Sequence, residues 1–373
     1  MLMRGTLVAC VAVLVLGCGG PSTEIPTVGS GDIAQERERQ LAYQFQAYVA
    51  QNSRLQQVYH HVATANAEFC GARVAQRMGF IAVTPQDLPE RYREIGRAVL
   101  QLDEGRPTVI AVAEHGPASK AGIVAGDILV ALNGEPVAVG ANAREWMATR
   151  LNDRSRSRIR VGVLRQGKQH LLDVAPVLAC AYPISLHIDS NVNAFTDGQQ
   201  IVVHSGILRV AQSDAELAIV VGHELAHITM GHIDKMKGNQ VAGAFGGLIV
   251  DVALAAAGVN TQGAFTRGFG NLGGQAYATD FEREADYVGA YFVARAGFNS
   301  AEAEKFWRAM AEESPRQIFY AGLHPASPER FLLMQRANDE IAHKRRLNLP
   351  LRPELKGTQM ATPAPVQDRD LTN

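Results

Sequence analysis

The most constraining feature of this 373-residue sequence is a His-Glu-x-x-His segment inside a stretch of helical character. His223 and His227 stand four positions apart, and residues i and i+4 lie on the same face of a helix. Their imidazoles can therefore bind one metal ion together, and Zn²⁺ is an ion that neutral imidazole suits. Glu224 can reach an activated water as general base but is badly placed to bind the metal. The alternative is a buried helix with two incidental histidines.

The residues around this segment also predict a helix. Ser213 and Glu216 have the Ser-x-x-Glu spacing of a capping box, which marks a helix start. An apolar face follows, made of Leu217, Val220, Val221, Leu225 and Ile228. A capped helix with one buried face would hold both histidines rigidly.

A third ligand is expected from the downstream segment Phe-Glu-Arg-Glu-Ala-Asp. If this segment is helical, Glu282 and Asp286 share a face, so Glu282 can bind the metal while Asp286 accepts a hydrogen bond from a ligand imidazole. The alternative is that Thr279 and Glu282 form an ordinary capping box. The preferred site holds one Zn²⁺ per chain on His223, His227 and Glu282.

These motifs resemble those of peptidase family M48, the gluzincin-type metallopeptidases that include the CAAX prenyl protease and the heat-shock protease HtpX. The resemblance rests on His-Glu-Leu-Ala-His at 223–227, Glu-x-x-x-Asp at 282–286, Asn-Ala-Phe at 193–195, Gly-His at 231–232 and His-Pro-Ala-Ser-Pro-Glu-Arg at 324–330. It covers about residues 179–346. It implies an α+β fold, in which a mainly helical zincin metallopeptidase core carries a small edge-strand sheet.

The resemblance also implies roles for residues outside the metal helix. The oxyanion of the transition state needs an electrophile beside the metal, and His324 and Arg330 occupy the family's positions for it. His324 could instead close the site as a fourth zinc ligand or form a loop turn, and Arg330 could be a structural ion-pair partner. Residues 199–204 are expected to be an edge strand for the substrate backbone, with His204 contacting substrate or packing. His232 is expected to support the site or lie at the surface.

Residues 96–178 resemble a PDZ domain of the bacterial protease type. The run Pro-Ala-x-x-Ala-Gly-x-x-x-Gly-Asp at 117–127 is typical of it, and Asn133-Gly134 is a strong hairpin turn. PDZ domains bind extended peptides by strand addition, so this inserted β-rich domain is expected to recruit or restrain substrates through polypeptide C-termini. Its carboxylate-binding loop is expected around Arg93–Gly105. The alternative is a small β-domain with a degenerate groove.

The first 17 residues predict a bacterial lipoprotein signal peptide. Arg4 precedes an apolar run, and Leu-Gly stands before Cys18, which would become the lipidated N-terminus. Gly19 at the next position favours the outer membrane, facing the periplasm of the cell envelope. A plain secretory signal is the alternative. Residues 18–32 would then be a flexible tether to the lipid anchor in the membrane.

Export would leave Cys70 and Cys180 as an even pair in an oxidising compartment. We expect them to form a disulfide that closes the base of the PDZ-like insertion, with two free thiols as the alternative. Residues 33–79 are expected to be a helical segment of the protease, broken near Asn52-Ser53 and capped at Gly79.

Residues 241–259 are almost entirely apolar, with Asp251 as their only charge. They are long enough for a marginal membrane span, but a charge in the middle is costly in lipid. A mobile helical hairpin or flap near the cleft is preferred, and a segment that dips into the membrane surface is the third option. The Pro-rich and polar residues 347–373 predict a disordered tail.

Together, these features predict a zinc-dependent metalloendopeptidase that cleaves misfolded or envelope proteins bound as an extended strand in its cleft. A net charge of −1 and a pI near 6.8 give no electrostatic reason to expect nucleic-acid binding. The alternative function is a peptide-binding quality-control chaperone with little hydrolysis. A purely structural lipoprotein would have no physical need for an open metal site beside a general base.

Overall fold

The structure, a computed structural model, describes residues 22–151, 156–257, 259–275, 278–313 and 328–356. The predicted signal peptide, the lipidation site Cys18 and the candidate His324 lie outside these residues. The chain divides into two compact units, Met1–Gln44 and Phe45–Asn373. In the first, residues 30–44 are helical; the second contains every strand found among the described residues and the predicted metal site.

Helices and strands are numbered here in chain order. The helices are α1 (Ser30–Ala65), α2 (Arg93–Leu100), α3 (Pro117–Lys120), α4 (Ala143–Leu151), α5 (Ile207–Val210), α6 (Asp214–Thr229), α7 (His232–Ala256), α8 (Ala264–Gln275), α9 (Ala278–Arg295), α10 (Glu302–Glu313) and α11 (Pro328–Arg346). The strands are β1 (Val74–Arg77), β2 (Phe80–Val83), β3 (Thr108–Val112), β4 (Ile128–Leu132), β5 (Glu135–Pro136), β6 (Ile159–Arg165), β7 (Lys168–Val174), β8 (Val177–Cys180), β9 (Ile184–His187), β10 (Ala194–Thr196) and β11 (Ile201–His204). The mixture confirms the predicted α+β class.

A six-stranded antiparallel sheet forms the PDZ-like region. Its strand order is β2-β3-β4-β6-β7, and β5 pairs with β4. Val161 and Val163 of β6 are buried with Leu129 of β4 in a separate apolar core. Because β2 pairs with β3, the sheet begins at Phe80 and not near residue 96 as expected. A four-residue strand is too short to show a clear alternation of apolar and polar residues.

Two short strands close the base of this region. Strand β1 pairs antiparallel with β8, and a disulfide joins Cys70 to Cys180, whose Cα atoms are 5.5 Å apart. The expected helical segment over 33–79 is therefore wrong in its last part, since α1 ends at Ala65. Pairing with a strand that lies far along the chain overrides the local helical pattern there.

Helix α1 also continues through Asn52-Ser53, where the sequence predicted a break. The following turns bury Leu55 and Val58 in the protease core, and this packing outweighs the modest helix propensities of Asn and Ser. Gly79 has a φ of 78° and lies in the turn between β1 and β2, so it does not cap the helix.

The protease part is built around α6. Every residue from Glu216 to Ile228 is buried, and α9 packs along this helix. A three-stranded sheet lies beside it in the order β10-β11-β9. Strand β11 pairs antiparallel with β10 and parallel with β9, so it is central, and the expectation that residues 199–204 form an edge strand is wrong. The two end strands in this order are β10 (Ala194–Thr196) and β9 (Ile184–His187).

Beyond α6, helices α7 and α8 pack on each other as a hairpin that contains the apolar stretch 241–257 and residue 259. The expected disordered tail is ordered up to Lys356. Lys344 donates through Nζ to the carbonyl of Arg352 (2.7 Å) and to Glu354 (2.6 Å), and Arg295 donates to the carbonyl of Leu351 (2.9 Å). The rest of that tail lies outside the described residues.

Candidate metal centre

Three buried side chains converge between α6 and α9. The Nε2 atoms of His223 and His227 are 3.0 Å apart, and Glu282 places its carboxylate oxygens 3.4 and 3.3 Å from them. One donor atom from each residue lies within 4.8 Å of the others. The residues expected from the sequence to bind the metal are thus brought to one point.

The local sequence explains why α6 holds its histidines so firmly. The Ser213 hydroxyl accepts from the Glu216 amide (3.1 Å), and the Glu216 carboxylate accepts from the Ser213 amide (3.0 Å), which forms the predicted capping box. Glu216 also accepts a hydrogen bond from the Gln212 amide at 2.6 Å. The amide donors of Gln212, Ser213 and Glu216 at the start of the helix are therefore satisfied.

Two glycines let α9 approach α6 closely. A Cβ on Gly289 would lie 3.0 Å from the backbone nitrogen of His223, and a Cβ on Gly222 would lie 3.1 Å from the carbonyl oxygen of Gly289. Such distances are too short for a side chain without a shift of one helix. This contact sets how far Glu282 stands from the two imidazoles.

Asp286 orients the first imidazole. Its Oδ1 lies 3.0 Å from Nδ1 of His223, so an Nδ1–H can donate to it and leave Nε2 free to bind a metal. Burial alone would raise the pKa of Asp286, but Arg330 and His223 outweigh burial and lower it. The acceptor is therefore a fixed anion. This is the position that the sequence predicted for Asp286.

A second chain of hydrogen bonds orients the other imidazole. Nδ1 of His232 lies 3.0 Å from Nδ1 of His227, and its Nε2 lies 2.8 Å from Glu284. Burial lowers the pKa of His232 to about 4, so this imidazole is neutral at pH 7. It can accept from Nδ1–H of His227 and donate to Glu284, which turns Nε2 of His227 toward the metal position. The sequence left His232 undecided and missed Glu284, although Gly231-His232 directly follows the metal helix.

The electrostatics differ between the two candidate ligands. Burial lowers the pKa of His223, but hydrogen bonds to Asp286 and Glu282 outweigh it and raise that pKa to about 10. Burial lowers the pKa of His227, and the neighbouring His223 adds to this effect. A positive charge between the two imidazoles is thus favoured, because a proton or a metal ion there offsets the buried carboxylates of Glu282 and Asp286.

The donor set fits zinc. Two imidazoles and one carboxylate leave a position open in a tetrahedral site. Glu224 is buried beside the set, and it lines a cleft of about 540 Å³ together with His223, Ala194 and Trp307. The arrangement offers a metal position, a general base and a space for substrate in one place.

The remaining candidates lie in different places. Arg330 is buried against Asp286 and stacks over the ring of Trp307, 4.3 Å from its centroid. His204 is paired through Nδ1 with Asp189 at 2.7 Å. His324 is outside the described residues, so its expected place beside the metal stays a prediction.

Comparison with known families agrees with both parts of this structure. Residues 170–337 match Peptidase family M48, and residues 81–175 match the PDZ domain family. The chain therefore contains an M48 peptidase domain and a PDZ domain, as the sequence motifs predicted.

Three of the relatives are named as proteases or peptidases. A putative beta-barrel assembly-enhancing protease of Vibrio cholerae is 34% identical over 134 residues, which are 34% of this chain and 27% of that protein. Metalloprotease LoiP of Escherichia coli is 32% identical over 151 residues, 39% of this chain and 58% of LoiP. The mitochondrial metalloendopeptidase OMA1 of Schizosaccharomyces pombe is 30% identical over 170 residues, 43% of this chain and 48% of OMA1. The matches thus span 27% to 58% of the relatives' length.

Two solved structures are similar to part of the chain. The PDZ domain of HtrA3 with a phage-derived ligand shares 23% identity, covers 28% of this chain and 89% of that chain, and has a TM-score of 0.22. The HtrA-type protease AlgW with a tripeptide shares 23% identity, covers 28% of this chain and 32% of that chain, and has a TM-score of 0.21.

Proposed function

Because this chain combines an M48 peptidase domain with a PDZ domain, we propose that it is a zinc-dependent metalloendopeptidase of the bacterial cell envelope. The observation that carries the proposal is the convergence of His223, His227 and Glu282 beside Glu224 in an open cleft. The substrates are polypeptides, including misfolded or envelope proteins.

The residues divide the chemistry between them. A bound Zn²⁺ would supply a Lewis acid that polarises the scissile carbonyl and lowers the pKa of water. Glu224 then accepts the proton of the attacking water and delivers it to the leaving amine, which is general acid–base catalysis by one carboxylate. Asp286 and His232 hold the ligand imidazoles in the tautomers described above. His324, by family resemblance, either assists the oxyanion or closes the site at rest.

Strand β10 is the element of the protease part to which the backbone of a substrate can pair. This strand ends the three-stranded sheet, and Asn193 and Ala194 line the cleft beside His223. An extended chain can add to such a strand through main-chain hydrogen bonds. We assign this role to Ala194–Thr196 in place of residues 199–204, because β11 within that range is paired on both sides.

We assign a peptide groove to the PDZ domain by the same reasoning about end strands. Strand β2 ends its sheet, and a groove of about 240 Å³ runs beside it, lined by Gly79, Ile81, Ala148 and Leu151. A C-terminal peptide would add to β2 and contact α4. The carboxylate-binding loop then lies near Met78–Ile81, not around Arg93–Gly105. Tyr59 and His60 of α1 line this groove as well, so the protease part borders the peptide site.

The cellular location of the protein is proposed from its N-terminal sequence. Cys18 would be acylated and would attach the chain to the outer membrane, facing the periplasm. Globomycin-sensitive processing with palmitate incorporation would support this, and a Cys18→Ser chain that is still processed would contradict it.

The test of the enzymatic proposal uses protein purified without chelator. We expect about one zinc per chain by elemental analysis and cleavage of an unfolded protein such as reduced casein. The Glu224→Gln variant should keep its zinc but lose cleavage by roughly 10²-fold or more. Zinc without cleavage, together with suppression of client aggregation that survives Glu224→Gln, would favour the chaperone alternative. A protein that binds no zinc would refute the metal site.

A further inference from the structure

The hairpin of α7 and α8 has an unusual distribution of side-chain size. Its interface is made of glycines: a Cβ on Gly243 would lie 2.1 Å from the carbonyl oxygen of Phe269, and one on Gly247 would lie 2.1 Å from that of Phe265. A Cβ on Gly273 would likewise lie 2.2 Å from the carbonyl oxygen of Asn239. The two backbones are thus in direct contact, and no large side chain fits between them.

The large apolar side chains of the hairpin point outwards instead. They are Val241 (70% exposed), Phe245 (65%), Leu248 (47%), Ile249 (58%) and Val252 (60%) on α7, and Phe265 (38%), Phe269 (40%) and Leu272 (66%) on α8. Those of α7 recur at steps of three and four residues, on the side opposite its glycines. We call these exposed apolar residues of α7 and α8 together the apolar stripe.

The one charge in the middle of the apolar stretch does not interrupt this stripe. Asp251 is buried inside the hairpin, where it accepts from the hydroxyls of Thr261 and Thr266 and from the amide of Thr266 (2.8 Å). It also accepts from the amide of Phe265 at 3.3 Å, so it caps the start of α8. The carboxylate is therefore satisfied within the hairpin and leaves the outer face apolar.

The hairpin has small residues between its helices and large apolar residues on its outer surface. A helix pair in a water-soluble protein has the opposite arrangement. In water, burying the large apolar side chains between the helices would be favoured. In lipid, that driving force is missing, and close packing on glycines is what holds helices together. Helix α7 is also long and apolar enough, by length and composition alone, to cross a membrane, and little of its most apolar part is buried.

We propose that the hairpin is a membrane-surface element, with its apolar stripe inserted into the lipid interface. A single crossing does not fit, because the second helix returns along the first and re-enters the protease at α9. Lys235 and Lys237 in the first turns of α7 and Arg267 on α8 are exposed cations that suit anionic headgroups. The partner is therefore an anionic bilayer surface, and this contact does not depend on the proposed peptidase activity.

The proposal is tested with the full-length protein carrying Val252→Cys, labelled with an environment-sensitive fluorophore. Vesicles contain phosphatidylethanolamine and phosphatidylglycerol, with and without doxyl-labelled lipid. Cys70 and Cys180 are joined in a disulfide, and the wild-type chain treated with the same reagent gives the background that comes from Cys10 and Cys18. The matched control is Leu171→Cys on β7, which is 66% exposed against 60% for Val252 but lies in the PDZ domain.

The fluorescence emission of the label at residue 252 should shift to the blue when vesicles are added. Doxyl lipid should quench it several-fold more strongly than the label at residue 171, as expected for insertion to a depth of about 5–10 Å. Adding Phe245→Glu and Leu248→Glu should reduce that quenching several-fold while zinc content stays unchanged. Vesicle flotation without quenching at residue 252 would overturn the proposal, and so would a failure to float. A blue shift without lipid that grows with protein concentration would assign the stripe to a second copy of the chain and also overturn it.

Discussion

Arg330 donates two hydrogen bonds to the carboxylate of Asp286, from Nε at 2.5 Å and from Nη2 at 2.6 Å. Asp286 lies in turn 3.0 Å from the imidazole of His223. All three side chains are buried. Arg330 thus reaches the candidate metal position in two ways, through its ion pair with Asp286 and through Oε2 of Glu282, which lies 3.7 Å from its Nη2. Under the proposed function it is a positioning residue for the metal ligands.

Replacing Arg330 by Lys tests this relationship. Lysine keeps the charge but cannot donate the paired hydrogen bonds, so we expect zinc affinity to fall about 10–100-fold. Competition with a chromophoric chelator measures this, and Arg283→Lys on the exposed face of α9 is the control. If Arg330 acts on the oxyanion instead, kcat will fall while zinc affinity is unchanged.

A second prediction concerns the contact between α6 and α9. Gly289→Ala should destabilise the protein by about 1–3 kcal/mol, because the new methyl group meets the backbone of His223. It should also weaken zinc binding, since the helix that carries Glu282 must move away. Urea unfolding and zinc titration measure the two effects. Gly238→Ala on α7, where a Cβ meets nothing within 4 Å, should be neutral or slightly stabilising.

A pH dependence is expected at the contact between α1 and the PDZ domain. Burial lowers the pKa of His60, the nearby charges of His61 and Arg77 lower it in the same direction, and together they bring it to about 4. The ring of His60 packs against Gly79 and Gly116. The unfolded chain takes up this proton near pH 6.5 and the folded chain only near pH 4, so stability is lost as the pH falls through that window.

We expect this histidine to account for a loss on the order of 2 kcal/mol between pH 7 and pH 4. Comparing the unfolding free energy of wild type and His60→Gln at both pH values measures the effect of His60 together with its electrostatic coupling to His61. An identical pH dependence in the two proteins would refute the assignment.

The PDZ groove yields a fourth prediction. Ala148→Arg places a long charged side chain in the groove beside β2 and should weaken binding of a C-terminal peptide by about 10-fold or more, equal to about 1.4 kcal/mol. Fluorescence anisotropy of a labelled peptide measures it. The control is Thr149→Arg, because Thr149 is the next residue on α4 and does not line the groove. Equal affinities in both variants would place the peptide elsewhere.

Much of the candidate site could be predicted because it depends on spacing within single helices. The four-residue steps from His223 to His227 and from Glu282 to Asp286 put each pair on one helix face before any tertiary contact is known. The capping box of Ser213 and Glu216 is local in the same sense. The pairing of Cys70 with Cys180 required only an even count and the expected compartment.

Other features depended on residues that are far apart in sequence. Contacts between separate elements decide three of these features. They are the central position of β11, the strand formed by Val74–Arg77 where the sequence predicted a helix, and the hydrogen bonds from His227 through His232 to Glu284. No local pattern records which distant strand or carboxylate will be the partner. The sequence alone therefore determined which side chains can share a helix face, while tertiary packing decided which faces meet, because backbone hydrogen bonds and buried charges must find partners wherever the fold supplies them.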